Sequence, residues 1–341
     1  MEKKLKERYL WVDVLKFLGI FYIFLGHFGE FGGKFYSFVF QFHVALFFFA
    51  SGFFFKDEPN KSFWSFAKEK FIKIMIPYFI FTFLHFVLYI IQNDLEIRTI
   101  LGWIPWILKG IRNTVPAGSV WFLPCLFVMQ LLYFIINRIL KKKSIILIFC
   151  IVLYYCALFL LPKNPIIYPS MFWNFDTALV YIVYFAIGNI LFKYITNFDY
   201  KKLKLVPKIF FVVLSIVLLG FTTLIFFEGK SVFGSFLVIN MRYTFDLFVT
   251  LLIIIFHCIV AYLLKNIKIF QEIGQETLYL CCNEQIIRMV ILSLLTLVNI
   301  NLNLANPLIT ICYTIILLII GHKFFVPLSQ KILKSVEKIF I

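Results

Sequence analysis

The stretch WVDVLKFLGIFYIFLGH, from Trp11 to His27, decides how the rest of the chain is read. It is apolar over nearly the length of a membrane-crossing helix, yet it carries Asp13, Lys16 and His27. A helix needs about 20 such residues, at about 1.5 Å each, to cross roughly 30 Å of hydrocarbon. Ionisable groups within a span are costly, and each is a functional candidate by default. Lys3, Lys4, Lys6 and Arg8 precede the run in the manner of a signal peptide. The charges inside the run, and the lack of a small-residue cleavage site after Phe28, make it a retained first span instead.

Working outward, similar runs recur along the chain. The next reads FQFHVALFFFASGFFFK, from Phe40 to Lys56. Hydrophobic windows and charge breaks together predict about ten spans, near 10–28, 36–55, 74–92, 118–137, 144–162, 174–193, 209–227, 243–264, 277–298 and 307–326. The expected fold is an all-α polytopic transmembrane helical bundle, one domain over 1–341, with no internal repeat and no soluble domain. Composition agrees: of 341 residues, 62% are hydrophobic and only 15% charged, against roughly 25% charged in a soluble domain.

The net charge of +16 does not signal nucleic acid, because the basic residues form short clusters between apolar segments rather than one face or tail. With the N-terminus cytoplasmic, 24 of the 33 Lys and Arg fall on the inside and 7 on the outside, with Lys16 and Arg288 within spans. This positive-inside asymmetry predicts both termini inside. It places the chain in a bilayer as a multi-pass protein of the cell (plasma) membrane, with Lys-, Ile-, Phe- and Asn-rich usage suggesting a bacterium. The seven cysteines all sit in apolar stretches without metal-ligand spacing, so neither a metal nor a structural disulfide is expected. The outside segment 93–117, with Trp103, Pro105, Trp106 and Pro116, has two open readings: an interfacial element or a cap over a substrate cleft.

Candidate chemistry concentrates in the first span. Asp13 and Lys16 stand i,i+3 and can pair on one face. Lys16 and His27 are eleven residues apart, an offset of only about 20° on a helix and a rise of about 16 Å. A charged pair at the inner mouth and an imidazole further out would together suit a long anionic donor. The competing reading makes Asp13–Lys16 an interfacial pair and His27 a residue at the headgroups. His43 opens the second span, as a second polar wall or an interfacial residue. Ser51-Gly52 reads as a close-packing patch. Glu284 and Arg288, at i,i+4 in the ninth span, either pair structurally or line an acceptor cleft, with Asp176 and Asp246 as further intramembrane acids. Trp121 and Trp173, at outer positions, are candidates for stacking on sugar rings.

Several segments together resemble the acyltransferase 3 family of membrane acyltransferases. They are Arg8 with Trp11–His27, FHVALFFFASGFFF at Phe42–Phe55, IPYFIF at Ile76–Phe81, VWFLPCLF at Val120–Phe127, FDTALVYIVYFAIGNILFK at Phe175–Lys193 and IGQETLYL at Ile273–Leu280. The closer likeness is to the fucose 4-O-acetylase-like branch. The resemblance implies an O-acyltransferase that moves an acyl group, usually acetyl, from cytoplasmic acetyl-CoA or another acyl-CoA to a hydroxyl of a surface polysaccharide or lipid-linked sugar. The family's key basic residue and histidine fall on Lys16 and His27. Lys16 stands where most of the family has Arg, Ala45 where Pro is common, and Glu284 near a position often held by His. The expected roles follow: His27, Lys16 and Asp13 in catalysis, Arg8 and Lys16 on the donor phosphates, and His43, Trp121, Glu284 and Arg288 at the acceptor. The alternative from another class is a transporter or flippase for a lipid-linked sugar, which the lack of a Gly- or Pro-broken helix pair argues against.

Overall fold

The computed structural model describes residues 8–93, 97–196, 200–229, 239–300 and 302–340. Lys3, Lys4, Lys6 and Lys230, all part of the charge asymmetry, lie outside them, as do the side chains of Arg98, Lys201 and Lys338. The chain is all-α, 81% helical, with no strand among the described residues. Eight helical stretches are long and apolar enough to cross a membrane: Lys34–Gly52, Phe63–Asn93, Gly118–Leu140, Phe172–Ile195, Leu205–Glu228, Met241–Leu263, Thr277–Leu297 and Pro307–Val336. The other two expected spans fall on α1 (Leu10–Gly26) and α8 (Lys143–Phe159), each of 17 residues.

The helices between and after these are α2 (Lys34–Val39), α3 (His43–Gly52), α4 (Phe63–Lys70), α5 (Ile76–Asn93), α6 (Ile97–Lys109) and α7 (Phe122–Leu140). Then come α9 (Phe175–Ile195), α10 (Leu205–Glu228), α11 (Ile239–Leu263), α12 (Lys268–Gln275), α13 (Thr277–Leu297), α14 (Pro307–Ile320) and α15 (Val326–Phe340). They form two compact units. One takes the chain as far as Ala50, then Leu191–Thr277 and Leu302–Leu318; the other takes Ser51–Ile190, Leu278–Asn301 and the chain from Ile319.

In the first unit α1 is the central element, packed lengthwise on α11 and α12. Val14, Leu15 and Ile20 are fully buried there. Gly274 of α12 meets the α1 backbone so closely that a Cβ would lie 1.8 Å from the Asp13 carbonyl oxygen. Beside it the Phe17 and Phe270 rings stack with centroids 4.1 Å apart. By contrast, only 17% of the most apolar window of α10 is buried. Val206, Phe210, Ile216 and Leu219 are exposed on it, as on a helix whose solvent is lipid.

The expected second span, 36–55, is not one helix. It breaks at Phe40–Phe42 between α2 and α3. The His43 ring donates Nδ1–H to the Val39 carbonyl at 2.8 Å, taking the acceptor that continuous helix would give to the His43 backbone N–H. Phe42 N–H closes a tighter turn onto the same carbonyl, at 3.2 Å. The Gln41 carbonyl, freed by the break, accepts from Thr250 Oγ1 at 3.2 Å, as a low-dielectric setting requires. The break is a single one and contains neither Gly nor Pro, so it is not the Gly- or Pro-broken helix pair expected of a transporter.

The second unit is held by backbone contact and by one asparagine. Gly52 lies against α9, where a Cβ would sit 2.1 Å from the Phe185 carbonyl oxygen. Asn189 Nδ2 donates to the Gly52 and Phe55 carbonyls at 3.1 and 3.0 Å, and its Oδ1 accepts from Tyr133 and Lys143 at 3.0 and 3.2 Å. Two π-helical turns, Phe71–Met75 and Gly321–Phe325, lead into α5 and α15. Pro77 and Pro327 follow them and lack the N–H that a regular turn would use. Before α4, hydrogen bonds to Glu69 and Glu58 hold the Lys61 pKa above its ordinary value.

Candidate active site

α1 brings Arg8, Asp13 and Lys16 together. Arg8 Nε donates to Asp13 Oδ2 at 2.8 Å, and Lys16 Nζ lies 3.2 Å from Asp13 Oδ1. One carboxylate thus bridges two cations. The Asp13 side chain is 10% exposed, against 22% for Lys16 and 49% for Arg8, so the acid is the fixed centre and the bases are its accessible flanks. Its position follows from Gly274: no larger residue would let α12 approach the Asp13 carbonyl. Helical geometry runs unbroken to the C-cap at His27, whose backbone N–H donates to the Ile23 carbonyl at 3.2 Å. The imidazole is therefore about 16 Å beyond Lys16 on nearly the same face. It is half-buried.

His43, in the same unit, is buried with its Nδ1–H committed to the Val39 carbonyl and its ring against Phe40. Nδ1 is thus a donor, since a carbonyl oxygen only accepts. Sequence reasoning passed over a second imidazole of the same kind. His257 on α11 donates Nδ1–H to the Ile253 carbonyl at 2.7 Å and accepts at Nε2 from Tyr22 O–H of α1 at 2.8 Å. Its position inside an apolar span is the signal that singles out His27, and it applies equally here. Tyr22 lies about 120° around α1 from Lys16, so this pair ties α1 to α11 and leaves the Lys16–His27 face to other partners.

Asp246 lies on α11 of the first unit, and the remaining candidates lie in the second. Arg288 Nε and Glu284 Oε1 are 3.7 Å apart, with Glu284 1% exposed and Arg288 25%. Glu284 also acts electrostatically on His85 of α5, a buried imidazole that donates Nδ1–H to the Phe81 carbonyl at 2.8 Å. His85, Tyr89, Pro116, Gln285 and Met289 line a small hollow. Trp121 carries the Arg112 guanidinium over its ring, 4.7 Å from the centroid, so one of its two faces is taken. Trp173 is a backbone pin, its Nε1–H donated to the Leu108 carbonyl at 2.9 Å. Asp176 accepts from the backbone N–H groups of Ser170, Met171 and Thr177. In the segment with two open readings, α6 packs on α5: Trp103 lies tilted against Phe86 and Tyr89, while Leu101, Ile104, Trp106 and Leu108 are exposed.

An all-helical chain with spans enough for a multi-pass membrane protein, and a bridged cation pair and an imidazole along one helix, defines the class as an integral membrane protein with a polar lane in its first helix. The family model described as an acyltransferase domain matches residues 9–322, across both units, and the chain belongs to that acyltransferase 3 family. It is a membrane acyltransferase. No curated protein and no solved structure matches it.

Proposed function

We infer that the protein transfers an acyl group, acetyl in the usual case, from acyl-CoA on the cytoplasmic side to a hydroxyl of a cell-surface glycan, as in the fucose 4-O-acetylase-like branch. The observation that carries this reading is the Arg8–Asp13–Lys16 bridge with His27 on the same helix face about 16 Å away. Two cations gathered by one acid suit the phosphates of a CoA head. The distance to His27 suits a pantetheine-length arm. In this reading ten spans place both termini on the cytoplasmic side of a bacterial plasma membrane, and no metal takes part.

His27 would accept the proton of the acceptor hydroxyl as its oxygen attacks the thioester carbonyl, and return it to the departing CoA thiolate. Acyl transfer through an acyl-imidazole on His27 is the alternative role of the same residue. Asp13 positions Lys16 and Arg8, while His43, Trp121, Glu284 and Arg288 serve the acceptor. The transporter reading draws on the intramembrane Lys, His, Glu and Arg, but family membership favours acyl transfer. Mass spectrometry of surface glycans from cells with and without the protein tests the reading. Loss of an ester-linked acyl group from one glycan is expected; identical acylation in both would overturn it.

A further inference from the structure

The segment from Gly110 to Trp121 surrounds a small depression that opens to solvent, lined by Tyr78, Arg112, Asn113, Val115 and Trp121. Its backbone is unusual: Gly110, Asn113 and Gly118 have φ of 60°, 65° and 48°, and the facing Trp173 and Asn174 have 52° and 54°. Non-glycine residues rarely adopt such angles, and the cost is borne where the surroundings impose it. Here hydrogen bonds impose it. Asn174 Oδ1 accepts from Arg112 N–H at 2.9 Å, its Nδ2 donates to the Gly110 carbonyl at 2.7 Å, and Tyr78 O–H donates to the Ile107 carbonyl at 2.6 Å.

Arg112 is the charge in this hollow. One Nη donates to the Ile166 carbonyl, the guanidinium lies over Trp121, and Nε–H is buried without a hydrogen-bond partner. No carboxylate stands within ion-pair distance of it among the described residues. Asp176, the carboxylate that acts on it electrostatically, is already engaged by three backbone N–H groups. Pinning one carbonyl does not need a cation, and a half-buried charge without a counter-ion is costly. Burial accordingly pushes the Arg112 pKa below its ordinary value.

We propose that this hollow is an acceptor subsite for an anionic group, a sugar carboxylate or a phosphodiester, held by Arg112 against the Trp121 ring. The acceptor of the reaction is then an acidic glycan, and the guanidinium fork supplies the directional contact. This rests on the reading that the acceptor is a surface glycan.

The test titrates purified full-length protein with three probes of equal length: a hexuronic-acid oligosaccharide, a glycerol-phosphate oligomer and a neutral glucose oligosaccharide. One anionic probe is expected to bind at least about tenfold tighter than the neutral one, and which of the two identifies the acceptor chemistry. Arg112→Gln should abolish the preference and Arg112→Lys retain part of it. Equal affinities, no binding of any probe, or a preference surviving in folded Arg112→Gln would overturn the proposal. Should Arg112→Gln fail to fold, salt decides on the wild type: a preference unchanged between about 50 and about 500 mM overturns it. Radiolabelled acetyl-CoA separates the two readings. Transfer to neutral and anionic probes at equal rates overturns the subsite. Anion preference without transfer to any probe supports the subsite and counts against the glycan acceptor.

Discussion

Gly274→Ala changes no charged or polar group, yet it should disable the protein. The new Cβ would stand 1.8 Å from the Asp13 carbonyl oxygen and 3.2 Å from the Phe17 backbone nitrogen. Both are backbone atoms within a helix and cannot rotate away. Ordinary contact with a carbonyl oxygen needs more than about 3 Å, so α12 must retreat from α1 by about 1 Å or more. That retreat pulls apart the Phe17–Phe270 stack, now at 4.1 Å, and loosens the helix that carries Asp13 and Lys16. Overpacking of this kind costs about 1–3 kcal/mol. A shift of about 1 Å at a catalytic lane can cost on the order of 100-fold in rate. Thermal unfolding in detergent should therefore show a Tm lower by a few degrees, and label transfer from radiolabelled acetyl-CoA should fall much more steeply than Tm. A Gly274→Ala protein with wild-type Tm and wild-type turnover would refute the packing argument and the placement of Asp13 that depends on it.

Two further outcomes follow from the same geometry. Lys16→Ala should raise the KM for acyl-CoA about tenfold through loss of one charge-assisted contact, while Lys16→Arg should match or improve on wild type because the guanidinium adds bidentate reach to phosphate; steady-state kinetics against donor concentration decide this. Asn189→Ala removes four hydrogen bonds that join Gly52, Phe55, Tyr133 and Lys143, so it should cost about 2–4 kcal/mol, read as a lowered unfolding midpoint with donor KM unchanged in the folded fraction.

The spans were legible because lipid imposes a length and a polarity that composition alone reveals. The Lys16–His27 lane was legible for a similar reason: helical periodicity needs no tertiary information. The break at Phe40–Phe42 was hidden, since its residues are as apolar as their neighbours and its cause is the His43 side chain taking a backbone acceptor. Arg112 looked like one outer-loop charge among seven. Its isolation depends on Asn174, Ile166 and Trp121, which come from distant parts of the chain. Asn189 likewise acts on Gly52 from 137 positions away. His85 and His257 were visible as imidazoles within spans, but only the fold bonds His257 to Tyr22.

The central claim is that His27 performs the acyl transfer. Purified wild-type and His27→Ala protein, matched for Tm and for acyl-CoA binding, should be given radiolabelled acetyl-CoA with a surface-glycan extract. The account predicts labelled glycan from the wild type and at least about a 100-fold loss with His27→Ala, the range expected for removing a general base. Equal labelling by the two proteins would contradict it.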